Sequence, residues 1–139
     1  GKALGIGMTR WFKPSNRHNA PNDSVSVQEQ DGKSDSLLSF YRRLAQLRAQ
    51  YPSLRSREFS VVENVGDCDQ CLAIWRHSLN EATLLMFNFS DTAQKIPFDP
   101  ASAPVPEQAK PKAVLGELSP DLSQLPLAPW GVLAVVWAK

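Results

Sequence analysis

Cys68-Asp69-Gln70-Cys71 is the place where residue type and spacing most directly suggest chemistry. A C-x-x-C pair can supply half a zinc site or a redox couple. Zinc needs four ligands, but no second C-x-x-C exists, and His18 and His77 are the two histidines of the sequence. A redox C-x-x-C opens a helix after a strand, whereas this one falls in a turn cluster, Gly66 to Gln70. The pair therefore reads as two incidental cysteines, and no metal or other cofactor is expected. Two cysteines build no disulfide framework, which leans toward a reducing, cytoplasmic compartment.

Acid–base chemistry on a bound substrate needs two carboxylates held at a fixed separation. Glu29 and Asp31 stand in a stretch that reads as loop, with no visible partner. Glu63, Asp67 and Asp69 surround a hairpin, where acids ordinarily face water. All five read as solvated surface. Gly5-x-Gly7 is too short for a phosphate loop. Asn22-Asp23-Ser24 and Asn88-Phe89-Ser90 match the glycosylation sequon, the second at a strand end where chance explains it better. Flat indole rings could stack on the apolar faces of pyranoses. Of the four tryptophans, Trp75 and Trp137 lie in strand patterns and read as core. Trp11, in a loop, and Trp130, where a strand begins, are the pair expected to be exposed and available for carbohydrate contact.

Composition bounds the rest. The sequence has 139 residues, 42% of them hydrophobic, with a formal net charge of +1. That is enough for one modest core. The interspersed charges lack the basic footprint of nucleic-acid binding. No apolar run approaches the roughly 20 residues that span a bilayer, so no membrane partner is expected. The sequence begins with Gly1, not Met, and its first residues lack a signal-peptide stretch. We read this as a segment excised from a longer chain, with Gly1 as a tag remnant.

Residues 1 to 35 read as a loop-rich segment. Lys13 to Asp23 has the composition of a long loop, of a kind that ordinarily packs on something else. Residues 36 to 50 read as one amphipathic helix. Ser34, Asp35 and Ser36 are cap candidates, and Leu37, Leu38, Phe40, Tyr41, Leu44 and Leu47 recur at three- and four-residue spacing. Pro52 stops it. This helix is expected to dock on the domain that follows.

Residues 51 to 139 read as a β-domain. Phe59 to Val65 and Cys71 to His77 form a hairpin, Ala82 to Phe89 a buried strand, and Lys95 to Phe98 an edge strand limited by Pro97. Prolines at 97, 100, 104, 106 and 111 mark an extended excursion. Ala113 to Leu115 and Leu125 to Leu127 are weaker strands, and Val132 to Trp137 is a strong one. The fold class is mainly β: an antiparallel β-sandwich preceded by one amphipathic α-helix.

Three segments, in this order, resemble the end of family 13 glycoside hydrolases. Asp35-Ser36-Leu37-Leu38-Ser39-Phe40-Tyr41-Arg42-Arg43-Leu44-Ala45-Gln46-Leu47-Arg48, followed by Tyr51-Pro52-Ser53-Leu54, is similar to that family's last barrel helix and its exit turn. Leu84 to Ser90 is similar to its "LLVVxNFS" strand. Leu127 to Val136 is similar to its closing "L-x-P-[YW]-x-x-x-V" strand. Val25 to Gln30 resembles the "NVxxQ" stretch before that helix in oligo-1,6-glucosidases and trehalose synthases, and Met8 to Trp11 faintly echoes their "TPMxW" loop. Residues 99 to 126 match nothing.

The resemblance implies an α-amylase C-terminal-domain-like fold and, upstream, a catalytic barrel with an Asp nucleophile, a Glu acid/base and a further Asp. The family's "GFRxD" and "NHD" motifs are absent here, so no catalytic residue carries over. The expected function is a non-catalytic C-terminal domain of an α-glucosidase or α-amylase-type enzyme, supporting the barrel. The expected partners are that missing barrel, an α-glucan or oligosaccharide, and a second copy through an uncovered helix. Arg42, Arg43, Arg55 and Arg57 read as a solvated face or as barrel contacts. The alternatives are a carbohydrate-binding module using exposed Trp residues and a stand-alone interaction domain.

Overall fold

The computed structural model describes residues 26–139. Trp11, His18, the Lys13 to Asp23 stretch and the first sequon lie outside the described residues. The chain divides into two compact units between Gln46 and Leu47.

In the first unit, Val27–Gln30 forms one helical turn, α1, where a loop was expected. Its cause is a capping box. The Ser26 hydroxyl accepts from the Glu29 backbone N–H at 3.2 Å, and the Glu29 carboxylate accepts from the Ser26 N–H. Asp31 receives the Arg42 guanidinium from the next helix. Glu29 and Asp31 thus each have a local partner, which corrects the reading of both as partnerless, while Asp31 stays exposed in the turn after α1. Helix α2 runs over Leu37–Gln50. The Ser36 hydroxyl caps it by accepting from the Ser39 N–H at 3.2 Å, and the Gln30 side chain accepts from the Leu38 N–H at 2.8 Å. No residue of the helix is buried. Leu37, Phe40 and Tyr41 are exposed, while Leu38, Leu44 and Leu47 are half-buried.

The second unit begins with the last turn of α2, continues through a 3-10 turn at Pro52–Arg55, and then builds seven strands. These are β1 (Phe59–Val61), β2 (Cys71–Ser78), β3 (Glu81–Asn88), β4 (Gln94–Pro97), β5 (Lys110–Leu115), β6 (Gln124–Leu127) and β7 (Val132–Ala138). A five-stranded antiparallel sheet has the order β1-β2-β3-β7-β5, and β4 pairs with β6 in a separate two-stranded one. The expected mainly β, antiparallel architecture is the one found.

Alternation of side chains explains the layering. Ala73, Trp75, Ala82, Leu84, Met86, Leu133, Val135 and Trp137 leave one face of the large sheet and meet Ile96, Leu125 and Leu127 of the small one. Trp75 and Trp137 are both buried, with ring centroids 5.2 Å apart, as read from their strand positions. On the opposite face, Ala134, Val136 and Val114 pack with Tyr51, and Leu47, Leu54, Leu85 and Leu115 lie against them. The run expected to be strand through Val65 pairs only as far as Val61.

Candidate functional site

Three places in the second unit carry polar or reactive groups in arrangements that demand explanation. The first is the cysteine pair. Cys68 and Cys71 form a disulfide, with Cα atoms 5.4 Å apart. This corrects the reading of two incidental cysteines. The turn before β2 folds back so that the Cys71 N–H donates to the Cys68 carbonyl at 3.1 Å, which brings the two side chains within bonding range. Gly66 makes the turn possible. Its φ is +71°, and a Cβ there would sit 2.9 Å from the Pro97 ring. A cleft of about 550 Å³ lies beside Cys68, lined by Asn64, Asp67, Gln94 and Lys95. It adjoins one of about 570 Å³ at Trp75, Phe98 and Pro104, with Asp99 at its margin. Each of these clefts holds one carboxylate, so neither presents the opposed pair that glycoside hydrolysis uses.

The second place is a buried polar knot at the start of β3. Glu81 is only 8% exposed. Its carboxylate accepts from the Ser53 backbone N–H at 2.9 Å and from the Ser53 hydroxyl, which also bonds the Thr83 hydroxyl. From β2, the Arg76 guanidinium donates to the Ser53 carbonyl at 3.3 Å and to the Ser56 carbonyl. The 3-10 turn at Pro52–Arg55 is thus tied to two strands through both its N–H and its C=O groups. Glu81 is the one buried carboxylate among the described residues, and it is committed to holding backbone.

The third place is the far end of β3. Asn88 is 2% exposed. Its side-chain amide donates to the carbonyls of Thr92 at 2.8 Å and Ala128 at 3.0 Å, and its oxygen accepts from the N–H and the hydroxyl of Ser90. Both amide hydrogens are used inside the fold, which is the physical reason the Asn88-Phe89-Ser90 sequon reads as chance. The same knot anchors the turn before β7. The Trp130 N–H donates to the Ser90 carbonyl at 2.9 Å, the Asn88 N–H to Gly131, and the Gly131 N–H to Ala128. Trp130 has a φ of 52° and is 70% exposed. A bulky residue in the left-handed region is a genuine outlier. Of the expected exposed pair, Trp130 is described and exposed; Trp11 lies outside the described residues.

The remaining acids stay at the surface. Glu63, Asp67 and Asp69 are exposed. Asp31 is held below the ordinary aspartate range by its hydrogen bond and charge contact with Arg42. Asp121 is held below it by the Ser123 backbone N–H and side chain. Among the described residues no cluster of His, Cys, Asp and Glu could hold a metal ion. No helix of the described residues is long and apolar enough to cross a membrane.

This architecture is known from solved structures of carbohydrate-active enzymes. Trehalose-6-phosphate hydrolase of Bacillus licheniformis matches 93% of this chain with a TM-score of 0.70 at 16% identity. A mutant isomaltulose synthase of Erwinia rhapontici NX5 matches 93% with a TM-score of 0.67 at 18% identity. An α-glucosyl transfer enzyme matches 91% with a TM-score of 0.68 at 22% identity. In all three the match spans 22% of the longer protein. No protein-family model matches this chain. No curated protein sequence matches it. The fold is therefore that of one part of the family 13, α-amylase-type enzymes, and the resemblance read from the three segments holds at the level of the fold.

Proposed function

We propose that this chain is a non-catalytic C-terminal β-domain of an α-glucosidase or α-amylase-type glycoside hydrolase, acting as structural support for a catalytic barrel. The observation that carries the proposal is the use made of Glu81. The carboxylate best shielded from water is the one a catalytic site would shift and aim at substrate. Here it clamps Ser53 and so fixes the joint through which the chain reaches the sheet.

A second feature supports the same reading. The β1–β2 register sets Phe59 opposite Arg76 and Val61 opposite Ile74, so Phe59 and Val61 share the face of the large sheet away from its main core. Both are exposed. With half-buried Leu72 and Ile74 they leave an apolar margin of the kind that marks a protein contact. The proposed occupant is the barrel.

The test is direct. Purified protein is assayed for p-nitrophenyl α-glucoside hydrolysis, and no turnover is expected. Turnover that survives repurification and follows the protein peak would sink the proposal.

A further inference from the structure

We infer that the row Gln70, Phe89 and Trp130, at the ends of β2, β3 and β7, is a binding platform for a neutral α-linked glucosyl oligosaccharide. The inference rests on the carbohydrate-enzyme reading for the choice of ligand. Its placement rests on geometry.

The row follows from sheet register. Cys71 pairs with Asn88, and Phe87 with Val132. One step past those pairs, the Phe89 N–H donates to the Gln70 carbonyl at 2.9 Å, and the Asn88 N–H donates to the Gly131 carbonyl at 3.0 Å. Gln70, Phe89 and Trp130 thus stand side by side on three adjacent strand ends. Phe89 is 54% exposed and stacks on Phe87, centroids 6.2 Å apart and planes 11° from parallel. Two exposed rings and an exposed amide share one rim.

The backbone beneath is rigid. Trp130 keeps a left-handed conformation that a bulky side chain disfavours. It is held there by its own N–H on Ser90 and by the Asn88 amide on Ala128. Gly131 admits no side chain, because a Cβ would lie 2.7 Å from the Ala128 carbonyl oxygen. A conformational cost maintained by a buried, fully satisfied network, with its product an indole turned to water, is the pattern expected of a functional display. No intramolecular ring contact involves Trp130 among the described residues.

The chemistry of the row selects the ligand. It carries no charge of its own, which disfavours an ionic ligand. Flat apolar rings match the C–H faces of pyranoses, and the Gln70 amide both donates and accepts, as sugar hydroxyls require. A rigid ring loses little entropy on binding, so a shallow platform can still give weak, specific affinity.

The experiment uses the whole chain and maltoheptaose as the probe, followed by the indole N–H signals of the four tryptophans in two-dimensional NMR. Trp130→Asn assigns one signal; asparagine tolerates the left-handed region, so the turn should survive. Saturable movement of the Trp130 signal is expected, with binding lost in Trp130→Asn, weakened about tenfold or more in Phe89→Ser, and regained in Trp130→Tyr. Unchanged backbone spectra would show that the variants fold. Absence of any Trp130 shift in the folded protein at millimolar maltoheptaose overturns the platform and leaves the support role standing, since that role is tested by inertness. Binding that moves only other tryptophans overturns it as well. So does Trp130→Asn weakening association with a catalytic barrel while no sugar binds, because the row is then a protein contact.

Discussion

Strand β3 begins at Glu81 and ends at Asn88, and a buried polar knot sits at each end. The two knots differ in chemistry and in what they hold. At Glu81 a carboxyl group grips the N–H and hydroxyl of Ser53, fixing the turn by which the chain arrives. At Asn88 a neutral amide bridges two carbonyls and a neighbouring serine, fixing a turn that displays an aromatic ring. The carboxyl knot secures connection; the amide knot shapes a surface.

Breaking the first knot should cost the most. Glu81→Leu strands the buried Ser53 N–H and leaves the Ser53 hydroxyl with Thr83 alone, and a loss of about 2–4 kcal/mol is expected by urea denaturation. Glu81→Gln should lose less, since its amide oxygen can still accept. Equal losses for both would mean that shape, and not the acceptor, matters there. Breaking the second should cost less. Asn88→Ala strands the buried Ser90 N–H and takes one of two donors from each of the Thr92 and Ala128 carbonyls, for an expected loss of about 1–3 kcal/mol. Its distinguishing mark is faster hydrogen exchange at Trp130 and Gly131 while Ser53 and Leu54 stay protected. Matching exchange at both ends of β3 would make the two knots a single cooperative unit.

The disulfide comes next. The ring it closes spans a sequence separation of 3, so it restrains little of the unfolded chain. Reduction should cost about 2 kcal/mol or less in a chain-entropy account, read as a shift of the thermal midpoint on adding a dithiol. Unfolding on reduction would refute that short-loop reading. The smallest effect is expected at Arg42. Arg42→Ala should raise the Asp31 pKa toward its ordinary value, measured by carboxyl NMR titration. The folded Asp31 pKa is depressed, so the contribution of the pair is present above the unfolded value and is lost as pH falls through the folded one. An Asp31 pKa unmoved by the substitution would assign the depression to other groups.

Much of the β-domain was legible because it is written locally. Trp75 and Trp137 announce their burial by strand alternation, and Pro52 ends the helix by sterics alone. Trp130 could be read as exposed because it precedes a strand and does not lie within one. The two knots were not legible. Ser53 and Glu81 are 28 residues apart, and Asn88 and Ala128 are 40 apart. Ser53, Glu81 and Asn88 look like ordinary surface polar residues until the sheet brings their partners close. Val27–Gln30 was missed although Ser26 and Glu29 spell a capping box, because a turn so short shows no apolar period. The cysteine spacing is plain in the sequence, but whether the sulfurs meet depends on a turn whose φ values it does not display. The helix itself was legible, since its stripe is periodic, but periodicity names a face without naming what covers it.

Strand β7 has a consequence for the order of assembly. It is the latest strand in chain order, yet it sits inside the large sheet, hydrogen-bonded to β3 on one side and β5 on the other. During synthesis β1, β2 and β3 can pair as they emerge, each next to its predecessor. They then wait with the β3 edge open until residues 132 to 138 have been made, and β5 has no sheet to join before then. Leu133, Val135 and Trp137 also arrive last, so the main core cannot close around Trp75 until that moment. Non-local pairing of this kind is slow and leaves an unfinished sheet available to wrong partners.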